Sequence, residues 1–116
     1  MLVLALVGCG RDDEERILYS IKSPDLNWIT DVAEHSHYGT FSTAESYQID
    51  VVRIRRPAGS EEPALIFSMD SDGDASRNPV VTWVTNEKLS ISVPNGTSIE
   101  HWSTRFHGIE VSVVLR

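Results

Sequence analysis

The sequence of 116 residues contains a single cysteine, Cys9, and no long apolar run. One cysteine excludes an intramolecular disulfide, so the chain has no disulfide framework. The longest apolar stretch, residues 1–8, is far shorter than the roughly 20 residues that a membrane-spanning helix needs. The fold must therefore rest on an ordinary hydrophobic core, and the chain is long enough to build one.

Positive charge is scarce, because 10 Lys and Arg residues stand against 17 Asp and Glu residues, for a net charge of −7. An acidic surface repels phosphate backbones and anionic lipid head groups, so neither nucleic acid nor a bare membrane surface is an expected partner. Attachment to a membrane is therefore expected through acyl chains rather than through a basic patch.

Catalytic motifs are also absent from the sequence. No serine lies in a G-x-S-x-G pattern, and no histidines or cysteines have the spacing of a common zinc site. The sequence therefore predicts a non-enzymatic protein that requires no cofactor.

The apolar start ends in Leu6-Val7-Gly8-Cys9, which resembles the lipobox of bacterial lipoprotein signal peptides. Small residues before the cysteine let a signal peptidase reach the backbone. The resemblance implies that residues 1–8 are a signal-peptide remnant, that Cys9 carries the lipid, and that residues 9–15 form an acidic tether. Gly10 is not the acidic residue linked to inner-membrane retention. The resemblance therefore implies the outer membrane, facing the periplasm, in a Gram-negative host.

An alternative location follows from the absence of Lys and Arg before Cys9, since signal peptides begin with a positively charged segment. In this alternative, residues 2–7 form a buried first strand of a cytoplasmic protein. The negative surface would then suit an inhibitor or immunity-type protein that blocks a basic partner. Both hypotheses predict a binding or structural module with an unknown protein partner, and they differ in its location.

The chain beyond residue 15 has the pattern of an all-β domain. β-Branched and aromatic residues dominate its apolar segments, and turn residues interrupt them at short intervals. We expect a single domain over residues 16–116, a small antiparallel sandwich or partly open barrel of about six to eight short strands. The predicted strands are residues 16–21, 27–35, 47–56, 64–69, 80–85, 88–93 and 108–115, with a further short strand around Ile99.

Two of these strands carry a more detailed prediction. In the third, the alternation of apolar residues changes at Val51-Val52, which predicts a β-bulge or two halves that face different layers. In the fourth, Leu65, Phe67 and Met69 are expected to face the core.

Residues 23–28 contain an SPD-x-x-W turn, and residues 81–91 contain a tryptophan hairpin with a two-residue turn. With the final G-I-x-V strand from Gly108, these stretches resemble small bacterial envelope lipoproteins of unassigned function. The resemblance implies one β module without a known active site. Leu26 stands where the usual turn has glycine.

A candidate metal site lies in Asp70-Ser71-Asp72-Gly73-Asp74, which places carboxylates at alternate positions, as at the start of a calcium-binding loop. The sixth and twelfth positions, Ala75 and Val81, are not the Gly and Glu of an EF-hand, which is therefore excluded. A looser Ca²⁺ site at Asp70, Asp72 and Asp74 stays a prediction, and a solvated turn is the alternative.

Histidines and tryptophans offer two further candidates. His35 and His37 share one strand face, a geometry that can chelate Zn²⁺ or Cu²⁺, with His101 and His107 as further ligands. Exposed loop histidines are the alternative. Trp102, beside His101, is the tryptophan predicted to lie exposed and contact a partner.

Arg53, Arg55 and Arg56 form a small basic patch in an acidic chain. Ion pairing with carboxylates on neighbouring strands is the preferred interpretation. Docking to an acidic partner is the alternative.

Overall fold

A computed structural model of the chain describes residues 13–37, 46–59 and 61–116. Within these residues nine strands form a five-stranded and a four-stranded sheet. The strands are β1 (Asp13–Lys22), β2 (Ile29–His37), β3 (Tyr47–Arg55), β4 (Ala64–Asp70), β5 (Val80–Thr85), β6 (Lys88–Val93), β7 (Ile99–Trp102), β8 (Arg105–Phe106) and β9 (Ile109–Leu115). A short 3₁₀ helix, Ala75–Arg77, precedes β5. No helix in the described ranges is long and apolar enough to cross a membrane.

The first sheet has the strand order β1-β2-β3-β4-β7, and all its pairs are antiparallel. The second sheet has the order β5-β6-β9-β8, and β6 pairs with β9 in parallel. A parallel pair needs a long connection, and here the chain crosses to the first sheet as β7 before it returns. The predicted all-β fold class is confirmed, with two open sheets and one parallel pair among the antiparallel ones.

The two sheets pack face to face around one apolar core. Its side chains are at most 2% exposed and come from both sheets: Val32, Val52, Ile54, Ile66, Phe67 and Met69 from the first, and Val81, Leu89, Ile91, Val93, Ile109 and Val111 from the second. Tyr19 adds a polar connection, because its hydroxyl donates to Pro79 O (2.7 Å) and accepts from Val81 N–H (3.2 Å). Burial of the alternating apolar residues therefore holds the sheets together.

The predicted strands agree with the observed ones to within three residues at each end, and β5 and β6 agree at both ends. The largest difference is at the start, where β1 begins at Asp13, inside the predicted tether of residues 9–15. Asp13 and Glu15 bond to histidines of β2, which extends the ladder. Residues 1–12, with Cys9, lie outside the described residues.

The β-bulge or change of face predicted in β3 at Val51-Val52 is wrong for that strand, because β3 pairs with β2 without a register shift, and the irregularity lies in the β3·β4 pair. Val52 pairs with Phe67 and the next residue of β3 pairs with Leu65, so Ile66 is the additional residue of β4. As a result Ile66 and Phe67 both turn toward the core. The prediction that Leu65 faces the core is therefore wrong, and Leu65 is 37% exposed.

Candidate functional site

The loop between β1 and β2 folds as a turn that its own side chains close. Leu26 N–H donates to Ser23 O (2.9 Å), and Trp28 N–H donates to Ser23 Oγ (3.1 Å). The Asp25 carboxylate accepts hydrogen bonds from Ser23 Oγ (2.7 Å) and Asn27 N–H (3.0 Å). These bonds, the one from Ser23 most strongly, lower the pKa of Asp25. The SPD-x-x-W turn thus fixes the backbone that presents Trp28.

Leu26 holds the left-handed conformation in this turn, with φ of +63°. Glycine is favoured at the fourth position of such turns, which explains the usual residue at this position of the SPD-x-x-W pattern. A side chain there costs roughly 1–2 kcal/mol. Burial does not offset this cost, because the Leu26 side chain is 61% exposed. Leu26 is therefore both conformationally strained and apolar on the surface.

Trp28 is the centre of a surface cluster that we call the aromatic end. It consists of Trp28, Phe106, His107, Arg56 and the neighbouring Leu26. The Phe106 ring lies edge-on to Trp28 at 5.5 Å between centroids, and the His107 ring lies at 5.8 Å. The guanidinium carbon of Arg56 is 3.8 Å from the Trp28 ring centroid, within cation–π range. His107 sits in the two-residue β8–β9 turn with φ of +48°. Among described non-glycine residues, only Leu26 and His107 have positive φ.

A cleft of about 470 Å³ opens beside Trp28. Its walls come from Asp25 and Trp28, from residues 85–87 of the β5–β6 hairpin and from residues 107–109. Asp25 N–H donates to Asn86 Oδ1 (2.8 Å), which joins two of these loops. The volume lies within the range of small-ligand and side-chain pockets.

A second cavity, of about 250 Å³, lies toward the other end of the first sheet, and we call it the acidic pocket. The β2·β3 register has Ile29 opposite Arg55 at the aromatic end and Glu34 opposite Asp50 toward this end. The residues that line it are Asp50, Met69, Asp70, Ser71, Asp72, Arg77, Gly96, Thr97 and Ser98. Its wall is closed by a hydrogen bond from Asp70 N–H to Ser98 O (3.0 Å).

Asp50 is the unusual residue of the acidic pocket. It is 1% exposed, and its Oδ1 has no hydrogen-bond partner in the part of the chain that the structure describes. Burial, as the largest cause, together with the negative charges of Glu34 and Asp72 raises the pKa of Asp50 from 3.8 to about 6, against a hydrogen bond to Ser71 that lowers it. A buried carboxylate with one oxygen unpartnered is costly in free energy, so the site favours a proton or a cationic group.

Of the predicted calcium ligands Asp70, Asp72 and Asp74, the last two are bonded within their own loop. Asp74 accepts hydrogen bonds from Ser76 N–H (3.0 Å) and Ser76 Oγ (2.8 Å) and so caps the 3₁₀ helix. Asp72 accepts one from Asp74 N–H (3.0 Å) and lies 3.3 Å from Arg77 Nε. In the described ranges no group of three or more His, Cys, Asp or Glu could hold a metal ion. The Ca²⁺ site at these three residues stays a prediction.

His35 and His37 share one face of β2, as alternate residues of a strand do. His37 Nδ1 lies 2.7 Å from Asp13 Oδ1, and His35 Nδ1 lies 3.1 Å from Glu15 Oε1. Both rings are therefore bonded to β1, while the other two histidines of the predicted set lie on β7 and in the β8–β9 turn.

Trp102 lies on β7, at the edge of the first sheet, and is 42% exposed. Its Nε1–H donates to Val111 O (3.0 Å) on β9, so the indole joins the two sheets. His101 is exposed, and its Nε2 lies 3.1 Å from Ser103 Oγ. The predicted role of Trp102 and His101 in binding stays a prediction.

The arginine patch divides between two environments. Arg53 Nη2 lies 3.0 Å from Glu15 Oε1, and Arg55 Nε lies 2.7 Å from Asp31 Oδ2, as the ion-pairing interpretation predicts. The hydrogen bond from Arg53 is the main cause that lowers the pKa of Glu15. Arg56 instead belongs to the aromatic end.

Sequence reasoning missed two features of these sites. The β8–β9 turn carried a signal, because Gly108 adopts positive φ readily and histidine does so more often than most residues, between the apolar Phe106 and Ile109. Asp50 was also marked in the sequence, because it interrupts the apolar run Ile49-Asp50-Val51-Val52. An acid at a position expected to be buried needs an explanation.

Protein-family models, curated proteins and solved structures were searched for similarity to the chain, and none matches. Function is therefore inferred from the residues and their geometry.

Proposed function

We propose that the protein is a non-enzymatic binding module of the bacterial cell envelope, anchored by a lipid on Cys9, and that it binds a protein partner through its aromatic end. The observation that carries the binding surface is Leu26, an exposed leucine in a left-handed conformation. Glycine at this position would remove both the strain and the exposed apolar surface. Strained backbone is kept chiefly where a function requires it.

The composition of the aromatic end supports a protein partner. Tryptophan and arginine dominate the binding energy of protein interfaces, and here Arg56 stacks on Trp28. Leu26, which is 61% exposed and follows Asp25 of the cleft wall in sequence, adds apolar area. The partner expected for such a surface inserts an apolar or aromatic side chain into the cleft beside Trp28, with Asp25 as a polar rim.

The position of the aromatic end fits an anchored module. The β1·β2 register pairs Asp13 with His37 at one end and Lys22 with Ile29 at the other, next to Trp28. Cys9 precedes Asp13 by four residues, a reach of at most roughly 14 Å. A lipid on Cys9 would therefore hold the Asp13 end near the bilayer, and the aromatic end would point away from it toward a partner.

The anchor is tested on protein from the membrane fraction of its host. Mass spectrometry is expected to find a mature chain that begins at an acylated Cys9, and the Cys9→Ser variant is expected to lose the modification and the membrane location. Recovery of an intact Met1 in the soluble fraction would contradict the anchor.

The binding surface is tested by site-specific photo-crosslinking in living cells. A crosslinking amino acid replaces Leu26 in one variant and Leu115, another exposed leucine, in the control. We expect a discrete adduct from position 26 only, and competition by unlabelled wild-type protein. Adducts of equal yield at both positions, or none at position 26, would exclude the aromatic end as the binding surface.

A further inference from the structure

The acidic pocket lies apart from the aromatic end and has its own chemistry. Asp50, Asp70 and Asp72 line a cavity of about 250 Å³. The single cation of the lining, Arg77, is 3.3 Å from Asp72 and so is paired within the wall. Outside the lining, Glu100 shares a hydrogen bond with Asp70 that raises the pKa of Glu100. The cavity therefore favours a positively charged occupant.

Asp50 supplies an observation independent of this cluster of acids. Its side chain is 99% buried, since it is 1% exposed, and its Oδ1 accepts no hydrogen bond from any described residue. An ionised carboxylate can accept about four hydrogen bonds. The residue directly opposite on β2 is Glu34, another acid, which an Arg16 side chain from β1 already bonds. In the part of the chain that the structure describes, no neighbouring cation therefore neutralises Asp50 directly. A positively charged ligand with hydrogen-bond donors would neutralise it.

The form of the cavity distinguishes between kinds of cation. The described acids and histidines offer no set of three ligands for a metal ion. The volume of about 250 Å³ is several times the roughly 30 Å³ that one water occupies in the liquid, so a cation with a carbon stem fits better than a bare ion. Met69 provides an apolar wall for such a stem, and the hydroxyl of Ser98 in the lining can act as an acceptor.

We propose that the acidic pocket binds a primary alkylammonium group, with Asp50 as its buried counter-ion. An ammonium group carries three N–H donors on one carbon stem, which suits a buried carboxylate oxygen and nearby hydroxyls. The carboxylates of Asp70 and Asp72 attract the ligand, and Asp50 holds it.

Two sources of this group are distinguishable. Asp70 pairs with Ile49, Ile49 with His35 and His35 with Glu15, so the pocket lies at the β1 end that holds Asp13. If Cys9 carries a lipid, the ethanolamine headgroup of a neighbouring phospholipid is within reach, and this source rests on the proposed anchor. A free amine is the other source, and it is independent of the anchor.

The test uses the full chain carrying Cys9→Ser, titrated at low salt with 1-aminobutane, tetramethylammonium and Ca²⁺ in separate experiments. Binding is followed by the amide NMR shifts of residues 96–98 and by thermal unfolding. We expect saturable binding of 1-aminobutane and none of tetramethylammonium, which has the charge without donors. Absence of saturable amine binding, or tighter binding of Ca²⁺ than of the amine, would overturn the proposal.

The variant Asp50→Asn is expected to bind 1-aminobutane at least about tenfold more weakly, whereas Glu110→Gln, an exposed acid on β9, binds as the wild type does. Equal binding by Asp50→Asn would overturn the proposal. Should that variant fail to fold, the pH profile of the wild type decides. Glu34 and Asp72 act on Asp50 electrostatically and Asp70 lines the same cavity; the pKa of Asp50 is about 6, so affinity should fall about tenfold between neutral pH and about pH 5. A flat profile would exclude Asp50 as the counter-ion.

The source is then assigned with vesicles. Retention of the Cys9→Ser chain on phosphatidylethanolamine vesicles, but not on phosphatidylcholine vesicles, indicates the headgroup, because choline lacks N–H donors. Binding of 1-aminobutane without retention on either vesicle indicates a free amine. Neither outcome depends on whether Cys9 is acylated in the host, so a failure of the anchor and a failure of the amine site are separate results.

Discussion

The two ends of the sandwich depart from an ordinary fold in different ways. At the aromatic end the polar groups are well bonded, as Asp25 shows, but Leu26 and His107 hold positive φ and Leu26 exposes an apolar side chain. At the acidic pocket the described non-glycine residues have negative φ, but Asp50 is buried without a partner for Oδ1. One end therefore stores conformational strain and the other stores unfavourable electrostatics.

The difference indicates how each end would be used. Strain in a turn fixes the shape of a surface before a partner arrives, which suits binding of a macromolecule. A buried charge without a counter-ion is relieved by protonation or by a complementary charge, which suits binding of a small cation. Changes that remove either feature should stabilise the fold and weaken the corresponding function, as expected where stability and function conflict.

The largest expected effect is on stability and comes from Trp28→Ala. The change removes ring contacts with Phe106 and His107 and the platform beneath Arg56. Because Trp28 is only partly buried, we expect a loss of roughly 2–3 kcal/mol, below the range for fully buried tryptophans. Urea unfolding measures it, with Trp28→Phe as the milder control. A loss no larger than that of the control would mean that the aromatic end does not depend on the indole.

The next effect is the pH dependence that Asp50 imposes. Its pKa is raised in the folded state, from 3.8 to about 6, so folding takes up a proton between these values. Asp50 therefore reduces the free energy of unfolding as pH rises from about 4 to about 6, by up to roughly 3 kcal/mol. We expect Asp50→Asn to be more stable than the wild type at neutral pH by about 1–2 kcal/mol, since the buried amide also lacks partners.

The comparison of variant and wild type across pH isolates Asp50. Glu15, Asp25 and Asp74 have lowered pKa values, so their contributions to stability are lost as pH falls and act in the opposite sense. The excess stability of Asp50→Asn should therefore vanish near pH 4, whereas Glu110→Gln should show no such dependence. A constant excess at all pH values would mean that the charge of Asp50 is not responsible.

The sequence predicted the strands well because their signals are local. Alternating residues such as Leu89, Ile91 and Val93 mark a half-buried strand, and the Asn86-Glu87 turn marks a hairpin, and both are confirmed. Leu65 was assigned to the wrong face because one additional residue in β4 reverses the alternation beyond it. The bulge predicted in β3 is also wrong, because the additional residue lies in β4, and only strand pairing decides which strand holds it.

The sites could be predicted only in part because they join residues that are distant in sequence. The acidic pocket brings Asp50 to the loop after β4 and to the turn after β6, whereas the sequence drew attention to the adjacent acids Asp72 and Asp74. Those two residues are bonded within their loop. At the aromatic end, Leu26 was recognised as a departure from the usual glycine, but its positive φ requires the folded turn.

A smaller effect is expected from Leu26→Gly, which should raise the free energy of unfolding. Glycine relieves a strain of roughly 1–2 kcal/mol but adds freedom to the unfolded chain, so the net gain should be about 0.5–1 kcal/mol. Leu26→Ala is the matched control, because alanine also loses the apolar side chain but keeps the strained conformation. If Leu26→Gly were less stable in urea than Leu26→Ala by about 0.5–1 kcal/mol, the strain of Leu26 would be negligible, because only the added freedom of glycine in the unfolded chain would remain.

The smallest effect concerns Arg56, whose contact with Trp28 is solvent-exposed and is worth roughly 0.5–1 kcal/mol. Arg56→Gln should lose about this amount, while Arg105→Gln, on exposed β8, should change little. Gly59→Ala disturbs the same contact without changing Arg56 itself, because a Cβ at position 59 would lie 2.9 Å from Arg56 Cβ and displace the arginine.

These variants separate the two roles of the arginine. If Arg56 only supports the fold, the yield of crosslinking at position 26 should follow the small change in stability. If it belongs to the binding surface, Arg56→Gln and Gly59→Ala should both reduce the crosslinking yield severalfold while the protein remains folded. The second result is the one that the proposed surface requires, because stacking on Trp28 fixes the guanidinium at the edge of the exposed cluster, where a partner would meet it.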